Sequence, residues 1–430
     1  MGTNVPQTQI KVVTFGCRLN TVESQVMASH AHAHKLEKTI IINTCAVTNE
    51  AERQAKQAIR KLNLEHPDHK IIVTGCAAQI SPLTYGSLPG VTRVLGNHEK
   101  MLPESYASHG AGIDVGNIME IKKNTYPLLA SMTEGCTERS RAFVQIQNGC
   151  NHRCTFCTIP FGRGNNRSIP LAQLIRHVRE RVDAGIKEVI LTGVDITDYG
   201  SDLPGKPTLG MLVARMLRHI PDLPRLRLSS LDPVEVDEDL YGVLGQSQRI
   251  MPHFHISLQS GNDMILQRMK RRHARHHIVA FCARVRALRP DAVFGADIIA
   301  GFPTETDQQF ADSLSIIEEC DITHIHAFSF SPKAGTPAAR MPQLDRRVIK
   351  DRTGQLRTLG ASKLASYVYE KLRSGDSLRV LCEKRNQGYT EDYIKVSFRE
   401  DVTPGELIIA KPYDISGNTL LVSHTGSRKV

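Results

Sequence analysis

The sequence predicts an α/β protein with an amino-terminal open parallel α/β domain, a central partial barrel of six βα units and a small antiparallel β-barrel at the C-terminus. In the first part of the 430-residue chain, short β-branched runs alternate with helical stretches. This alternation starts again near residue 142 for six rounds, and short strands separated by turn residues follow from about residue 370. Because alternating strands and helices are typical of parallel sheets, we expect domains at residues 8–120, 136–367 and 370–430.

The first domain is marked by the runs VVTFGC, IIINTC and IIVTGC, which end at Cys17, Cys45 and Cys76. Short apolar runs that are followed by a turn are typical of buried parallel strands. The clearest helical stretch, residues 50–63, follows Asn49, which we predict to be its N-cap residue. This order of strands and helices predicts an open parallel sheet.

The placement of these cysteines has a chemical consequence, because ligands of an open parallel sheet collect beyond the carboxyl ends of its strands. Cys17, Cys45 and Cys76 are 28 and 31 residues apart, yet each is expected at the end of a strand. Any one of them alone would be typical of a buried structural thiol. The same placement three times predicts that the thiols converge on one site.

Six strands are predicted in the second domain, at AFVQIQ, EVILTGV, RLRLSSL, HFHISLQS, VFGADIIAGF and HIHAFSF. Helical stretches separate them, including a long basic one near residues 263–288. Six βα units fit a partial parallel barrel, whose chemistry is expected at the C-terminal mouth of the strands.

The last domain contains the strand patterns SLRVLCEK, YIKVSFRE, ELIIAKPY and NTLLVS, separated by Gly, Pro, Asn and Asp. A small antiparallel barrel of this kind is often used to bind nucleic acid. Residues 376–430 nevertheless contain eight Lys and Arg against eight Asp and Glu, so the composition of this domain does not indicate RNA binding.

The composition is that of a globular protein, with 40% hydrophobic and 23% charged residues. No run of 18 or more apolar residues occurs, so no transmembrane helix or membrane partner is expected. The first residues, MGTNVPQTQI, lack the basic start and apolar stretch of a secretory signal. We therefore expect a cytoplasmic enzyme, in which ten cysteines indicate metal binding or catalysis rather than disulfides.

The formal net charge of +10 favours a polyanionic partner, although a merely basic surface would explain the total as well. Two blocks without any acid are more informative, one at residues 139–179 and one at residues 264–290. Their basic residues include Arg139, Arg141, Arg153, Arg163, Arg167, Arg176 and Arg179 in the first block, and Lys270, Arg271, Arg272, Arg275, Arg284, Arg286 and Arg289 in the second. We interpret these blocks as phosphate contacts.

The strongest chemical signal is NGCNHRCTFCTIP, in which Cys150, Cys154 and Cys157 follow the first barrel strand. Three thiolates on one loop can hold three irons of a [4Fe–4S] cluster and leave the fourth iron open. The alternative is a zinc site, which would need a fourth ligand such as His152. The barrel context and Phe156 favour the cluster.

With Phe156 before its last cysteine, this motif at the opening of a six-unit βα barrel resembles the radical-SAM superfamily. The resemblance implies that Cys150, Cys154 and Cys157 ligate a [4Fe–4S] cluster whose open iron binds S-adenosylmethionine. An electron from the cluster would then cleave S-adenosylmethionine to methionine and a 5′-deoxyadenosyl radical.

The same resemblance implies where S-adenosylmethionine is bound within the barrel. Thr192 and Gly193, at the end of the second strand, match the segment that contacts its amino group. Asp195 and Gln259, at the ends of the second and fourth strands, are further candidates for contacts with it. For these two residues, an ordinary role in a turn at the end of a strand is an open alternative.

Almost the whole chain resembles the methylthiotransferases, which combine a three-cysteine α/β domain, a radical-SAM barrel and a C-terminal TRAM domain. The supporting stretches are GCRLN, NTC and GC at the first three cysteines, and SLQSGND, DIIAGFPTETDQQF and SPKAGTPAARMP in the barrel. The chain departs from the family pattern at Thr304, where Gly is usual. The resemblance implies that Cys17, Cys45 and Cys76 ligate a second [4Fe–4S] cluster, which carries sulfur to the substrate.

GCRLN and SPKAGTPAARMP look most like the branch that converts N6-threonylcarbamoyladenosine at position 37 of tRNA to its 2-methylthio derivative. The implied partners are the tRNA anticodon loop, a reducing electron donor and a sulfur donor. Sister branches act on isopentenyladenosine in tRNA or on an aspartate of a ribosomal protein, and the basic blocks favour RNA over protein. An alternative of another class is a non-catalytic, zinc-stabilised RNA-binding protein.

Arg163 and Arg167 follow the cysteine motif in PFGRGNNRS, and we predict that they contact RNA. Glycines on both sides of Arg163 would let a nucleotide approach closely. The alternative is that these arginines pair with acids elsewhere in the fold. The remaining cysteines are interpreted as ordinary thiols; they are Cys136, Cys282, Cys320 and Cys382.

Overall fold

A computed structural model of the chain describes residues 10–107, 110–122 and 140–424. Its strands are β1 Ile10–Thr14, β2 Thr39–Thr44, β3 Lys70–Gly75, β4 Val91–Leu95, β5 Gly112–Asp114, β6 Arg141–Gln145, β7 Gln147–Asn148, β8 Arg167–Ser168, β9 Glu188–Thr192, β10 Arg225–Leu228, β11 His253–Gln259, β12 Val293–Ala300, β13 Ile322–Ser329, β14 Leu378–Lys384, β15 Gln387–Thr390, β16 Lys395–Phe398, β17 Leu407–Ser416 and β18 Thr419–His424. Its helices are α1 Arg18–Ala33, α2 Asn49–Glu65, α3 Cys76–Ile80, α4 Pro82–Gly86, α5 Glu104–Ala107, α6 Ile159–Arg163, α7 Leu171–Asp183, α8 Leu209–His219, α9 Glu238–Gln246, α10 Asp263–Arg268, α11 Arg275–Leu288, α12 Asp307–Glu319 and α13 Arg346–Ser374.

The described residues divide into two compact units. The first takes in the chain up to residue 122 together with residues 147–169 and 331–336, and the second takes in residues 140–146, 170–330 and 337–424. The loop with the second cysteine motif therefore belongs to the same unit as the amino-terminal sheet. The predicted domain boundaries stay a prediction, and residue 136 lies outside the described ranges.

A parallel sheet with the strand order β1-β2-β3-β4-β5 forms the centre of the first unit. Successive side chains of β2 point to opposite faces. Ile40 and Ile42 pack in one apolar cluster with Ile59 of α2, whereas Ile41 packs in another with Met27 of α1. Burial on both faces explains why the strands read as continuous β-branched runs, and the predicted open parallel sheet is confirmed.

Helix α2 begins one residue earlier than the sequence suggested. The backbone of Thr48 is extended, and its hydroxyl accepts a hydrogen bond from the amide of Ala51 at 3.1 Å, so Thr48 is the N-cap residue. Asn49 is instead the first helical residue, and its side chain donates to the carbonyl of Pro332 at 3.2 Å. The prediction of Asn49 as the cap is therefore wrong by one position, because both residue types suit a cap.

The second unit contains the predicted barrel strands. Strands β6, β9 and β10 pair in parallel, as do β11, β12 and β13. Two isolated parallel bridges, between Leu226 and Ile250 and between Leu231 and Ile256, connect the β10 side of the first group to the β11 side of the second. The partial parallel barrel is thus confirmed. The prediction of one long basic helix near residues 263–288 is wrong. This stretch forms two separate helices, α10 and α11, and Lys270 between them has a φ of +59°.

The C-terminal strands close into a barrel with the order β14-β15-β16-β18-β17. Its apolar interior includes Val380, Val396, Ala410 and Leu420, all fully buried. The predicted small antiparallel barrel is confirmed, although β16 and β18 pair in parallel. Strand β15 was not predicted because its sequence, QGYT, shows no apolar alternation. No helix in the described part of the chain is long and apolar enough to cross a membrane.

Candidate functional site

The first group of cysteines lies at the carboxyl ends of three neighbouring strands. Cys17 follows β1, Cys45 follows β2, and Cys76 directly follows β3 as the first residue of α3. The strand ends are in register, since Thr14 pairs with Asn43 and Thr44 pairs with Gly75. A sheet with this order brings together cysteines that are 28 and 31 residues apart in sequence. We call this arrangement the three-strand site.

Two glycines allow the backbone to turn sharply at this site. Gly16 has a φ of +96°, and a Cβ atom there would lie 2.8 Å from the Sγ atom of Cys45. Gly75 has a φ of +98°, and a Cβ atom there would lie 2.3 Å from the carbonyl oxygen of Thr44. Both contacts are shorter than side chains tolerate, so the residue before Cys17 and the residue before Cys76 must lack a side chain.

The thiols of the three-strand site differ in exposure. Cys45 and Cys76 are buried, whereas Cys17 is exposed. Burial raises the pKa of the Cys45 thiol to about 11, and the nearby thiols of Cys76 and Cys17 add to this effect. Cys45 therefore keeps its proton at neutral pH as a free thiol. Binding of a metal would have to release that proton, because thiolate is the form that ligates.

Buried charges lie behind the three-strand site. Lys100 donates to Glu23 at 2.6 Å and Arg163 donates to Glu23 at 2.7 Å, and all three side chains are at most 2% exposed. Burial alone would raise the pKa of Glu23, but the two cations outweigh it and lower this pKa to about 2. The carboxylate is therefore ionised at neutral pH.

Amide side chains connect these charges to the cysteines. Asn20 accepts a hydrogen bond from Arg163 and donates to the carbonyls of Phe15 at 2.7 Å and Thr44 at 3.1 Å, just before Gly16 and Cys45. Asn97 donates to the carbonyl of Gly162 and lies 3.6 Å from the Sγ atom of Cys76.

Sequence reasoning missed the polar residues of this network, Asn20, Glu23, Asn97 and Lys100. Asn20 and Glu23 lie on α1 at helical spacing from the apolar residues Leu19, Val22 and Val26. That placement is a weak signal, and Asn20 is also the last residue of the stretch GCRLN. A charged residue beside an apolar helix face is ordinarily a solvated one.

The second group of cysteines lies on one short turn, which we call the motif loop, residues 150–157. Its thiols are partly exposed. The backbone amide of Cys157 donates to the carbonyl of Cys154 at 3.1 Å, and the amide of His152 donates to the Sγ atom of Cys150 at 3.3 Å. The amide of Cys150 donates to the carbonyl of Gly164 at 3.0 Å, which anchors the start of the loop.

The candidate residues for S-adenosylmethionine are placed as follows. Phe156 is half-buried within the motif loop of the first unit. The other candidates lie in the second unit, where Thr192 is the buried last residue of β9 and half-buried Gly193 follows it. The Asp195 carboxylate accepts a hydrogen bond from the Thr197 hydroxyl at 3.1 Å. Their roles stay predictions.

Gln259, the last residue of β11, has a backbone conformation that side chains rarely adopt. Its φ is +66°, and the pairing register with β12 shifts between Ile256 and Gln259. Strained residues of this kind cluster at functional sites. The strain is therefore a physical reason to keep Gln259 as a candidate.

Both groups of cysteines have a donor set that fits an iron–sulfur cluster. Each offers three thiols, which matches a [4Fe–4S] cluster with one open iron. The three-strand site adds a buried excess of positive charge, because Arg163 and Lys100 together outnumber the single carboxylate of Glu23. A buried positive charge favours the thiolate form that a metal requires.

Arg163 and Arg167 have internal partners. Arg163 is paired with Glu23, and the guanidinium of Arg167 donates to the carbonyls of Arg163 at 2.9 Å and Asn165 at 3.3 Å. Both residues are at most 5% exposed. Their predicted contact with RNA stays a prediction, and burial is a physical argument against it. For Arg163, the alternative of an internal ion pair applies.

Six arginines of the second basic block are paired with acids. Its ion pairs are Arg271 with Asp232, Arg272 with Glu235, Arg275 with Glu319, Arg284 with Glu238, Arg286 with Asp321 and Arg289 with Asp291. The acids lie outside the block in sequence but in the same unit, so these six charges are balanced in the fold although the run itself contains no acid. Phosphate binding by this block therefore needs support beyond its composition.

The remaining cysteines of the described ranges, Cys282, Cys320 and Cys382, are buried. A hydrogen bond with Cys320, together with burial, raises the pKa of Cys282. Cys382 is part of the apolar interior of the C-terminal barrel. These positions suit ordinary buried thiols, and Cys136 lies outside the described residues.

Two family models match separate parts of the chain. Residues 144–317 match the family described as "Radical SAM superfamily", and residues 9–96 match "Uncharacterized protein family UPF0004". The radical S-adenosylmethionine methyltransferase TsrM from Kitasatospora setae, solved with cobalamin and a [4Fe–4S] cluster, superposes with a TM-score of 0.57. It is 12% identical and covers 77% of each chain, so this likeness shows the fold alone.

Curated relatives are similar over nearly the whole chain. Threonylcarbamoyladenosine tRNA methylthiotransferase MtaB from Rickettsia prowazekii is 47% identical over 93% of this chain and 94% of its own length. The protein of the same name from Bacillus subtilis is 33% identical over 90% and 89%. The tRNA-2-methylthio-N(6)-dimethylallyladenosine synthase from Erythrobacter litoralis is 30% identical over 97% of both chains. The chain therefore belongs to the radical-SAM methylthiotransferase family.

Proposed function

We propose that this enzyme converts N6-threonylcarbamoyladenosine at position 37 of tRNA to its 2-methylthio derivative. The observation that carries the proposal is the presence of two separate three-cysteine groups, one at three strand ends and one on the motif loop. A single structural metal site would not need six cysteines in two places. The 47% identity to a relative named for this activity supports the same substrate.

The cofactors are S-adenosylmethionine and two [4Fe–4S] clusters, held by Cys150, Cys154 and Cys157 on the motif loop and by Cys17, Cys45 and Cys76 at the three-strand site. When bound, they supply an electron, a 5′-deoxyadenosyl radical, sulfur and a methyl group. The thiols of the motif loop are partly exposed, which supports access of S-adenosylmethionine to a cluster held there. The candidate residues for orienting this cofactor are Phe156, Thr192, Gly193, Asp195 and Gln259.

The chemistry of the substrate explains why the protein needs such cofactors. The C2–H bond of adenine is neither acidic nor electrophilic enough for general acid–base or nucleophilic catalysis by side chains. A cofactor must supply the radical, and the protein binds, positions and shields the reactants. The exposed Cys17 would give the sulfur site an open side toward substrate, whereas buried Cys45 and Cys76 hold it in place.

The reaction also needs partners that supply electrons and sulfur, and the tRNA anticodon loop as substrate. A single-stranded loop offers unstacked bases to an enzyme. We propose the cytoplasm as its location, because cysteines that ligate clusters must stay reduced and the cytoplasm keeps thiols reduced. The domains proposed for these tasks are residues 8–120, 136–367 and 370–430.

Mass spectrometry of tRNA nucleosides tests the substrate directly. A strain without the gene should lack 2-methylthio-N6-threonylcarbamoyladenosine and accumulate its precursor, and the gene should restore the modification. Loss of 2-methylthio-isopentenyladenosine would assign the enzyme to that sister reaction. Unchanged nucleosides together with an altered ribosomal-protein aspartate would exclude a tRNA substrate.

Metal analysis separates the enzyme from a zinc-stabilised RNA-binding protein. Anaerobically reconstituted protein should be brown, contain about eight irons and cleave S-adenosylmethionine under reducing conditions. A colourless protein with stoichiometric zinc and no cleavage would support the binding protein instead.

A further inference from the structure

The segment that follows the motif loop lies against the three-strand site. A Cβ atom on Gly162 would lie 3.0 Å from the Cβ atom of Cys76, and the carbonyl of Gly162 accepts a hydrogen bond from Asn97. The next residue, Arg163, donates to Asn20, whose amide holds the carbonyls just before Gly16 and Cys45. The segment thus touches the surroundings of all three amino-terminal cysteines.

Arg163 is also a charged side chain in the protein interior, where burying a charge costs free energy. Its side chain is 2% exposed and forms an ion pair with Glu23, which already has Lys100 as a partner at 2.6 Å. One carboxylate therefore faces two basic side chains. Burial lowers the pKa of Lys100, whereas the pKa of Arg163 lies well above its usual value, and with both side chains protonated the group carries one uncompensated positive charge. Such a charge is expensive unless a negative group lies nearby.

A negative group is expected at the three-strand site. Three thiolates around a [4Fe–4S] core would give that site a net negative charge, and Gly162, next to Arg163, packs against Cys76. We propose that Arg163 is a positioning residue that supplies the buried positive charge for the three-strand site. This inference rests on the proposed function, because it assumes that a cluster binds there.

The expected consequence is a higher midpoint potential than the same cluster would have without Arg163. Reduction adds one negative charge, and a nearby buried cation stabilises that charge. Replacing Arg163 by a neutral residue should lower the ratio of reduced to oxidised cluster at a fixed potential by about tenfold. For a one-electron couple this corresponds to about 59 mV.

The test uses the full-length chain with Cys150, Cys154 and Cys157 replaced by Ala, so that only the three-strand cluster contributes. In this parent, Arg163→Met removes the charge and the hydrogen bonds, Arg163→Gln removes the charge but keeps a donor, and Arg163→Lys keeps the charge. Iron content and the EPR-monitored midpoint potential are measured for each. The Met and Gln variants should shift to more negative potentials, and the Lys variant should stay closer to the parent.

Arg352→Met is the matched control, because Arg352 is also buried and donates to a buried carboxylate, Glu305, at 2.7 Å in the second unit. It should leave the potential unchanged. Equal potentials for the parent and the Met, Gln and Lys variants would overturn the inference. If Arg163→Met does not fold, the difference between Gln and Lys decides. A parent without about four irons would count against the proposed function rather than against the role of Arg163.

Discussion

The two groups of cysteines belong to the same compact unit but are built in different ways. The motif loop places its thiols within eight residues, and backbone hydrogen bonds inside the loop fix their positions. The three-strand site takes one thiol from each of β1, β2 and β3, and its geometry depends on strand register, two glycines and a buried ion-paired group. A local site is defined by spacing alone, whereas a site between strands is defined by the fold.

This difference predicts how each site fails. Substitutions in the motif loop should remove one cluster and leave the five-stranded sheet intact, because the loop contributes no strand to that sheet. At the three-strand site, substitution of a residue that does not contact the cluster can also reduce cluster binding. Site-directed variants of each site therefore test this difference.

The largest effect is expected at the motif loop. Replacing Cys150, Cys154 and Cys157 together by Ala should leave about four of about eight irons and abolish reductive cleavage of S-adenosylmethionine. The reason is that all three proposed thiolate ligands of that cluster are removed. Production of 5′-deoxyadenosine by the triple variant, measured by liquid chromatography, would contradict the radical-SAM assignment of the loop.

The second prediction separates the two sites functionally. With Cys17, Cys45 and Cys76 replaced by Ala, cleavage of S-adenosylmethionine should persist, because the motif loop keeps its own ligands. Methylthiolation should stop, since the proposed sulfur-carrying site is lost. The two products are measured in the same reaction. Full formation of the methylthio nucleoside by this variant would remove the sulfur-carrying role from these cysteines.

The third prediction concerns the backbone of the three-strand site. Gly75→Ala should destabilise the protein by about 2–4 kcal/mol, because a φ of +98° disfavours a side chain and the new Cβ atom would overlap the backbone of Thr44. It should also lower the iron content of the protein that carries only the three-strand cluster.

Gly185→Ala is the matched control for this variant. Its φ of +94° is similar, but nothing lies within 4 Å of the added atom. Only the backbone strain of about 1–2 kcal/mol should then appear, without loss of iron. Denaturant unfolding and iron analysis check both variants. Equal effects on stability and iron would mean that crowding at Thr44 does not shape the site.

The sequence predicted the parts of the fold that depend on local pattern. Strand ends at Cys17, Cys45 and Cys76 follow from β-branched runs, and the barrel strands follow from alternation with helices. The buried group of Glu23, Lys100 and Arg163 could not be predicted, because its members are 77 and 140 residues apart from Glu23 in sequence. Each looks like a surface charge until the fold brings the three together.

The basic blocks show the same limit of local pattern, although the polyanionic partner that they favoured agrees with the family's tRNA substrates. Arginines from residues 264–290 meet acids from other elements, such as Asp232 and Glu319. The net charge of a sequence segment depends on its composition alone. The net charge of a surface in the folded protein also depends on which side chains form ion pairs. At the three-strand site the charge balance differs from that of the second basic block. Lys100 and Arg163 share the single carboxylate of Glu23, which no sequence pattern predicted.

The smallest effect is expected at Thr304, a non-glycine residue with a positive φ. Thr304 has a φ of +67°, and it occupies a position where the family usually has Gly. A β-branched residue in this conformation is strained by about 1–2 kcal/mol. In return, its hydroxyl accepts a hydrogen bond from Arg268 at 2.8 Å, which contributes about 1 kcal/mol.

Thr304→Gly should therefore change the free energy of unfolding by less than about 1 kcal/mol, because relief of strain is offset by the lost hydrogen bond and by the greater flexibility of Gly in the unfolded chain. Iron content should be unchanged. Denaturant unfolding of Thr304→Gly and of Arg268→Ala tests the balance. If Thr304→Gly destabilises the protein by more than about 2 kcal/mol, the hydrogen bond outweighs the strain. Thr304 would then be a structural adaptation of this loop rather than a tolerated departure from the family pattern.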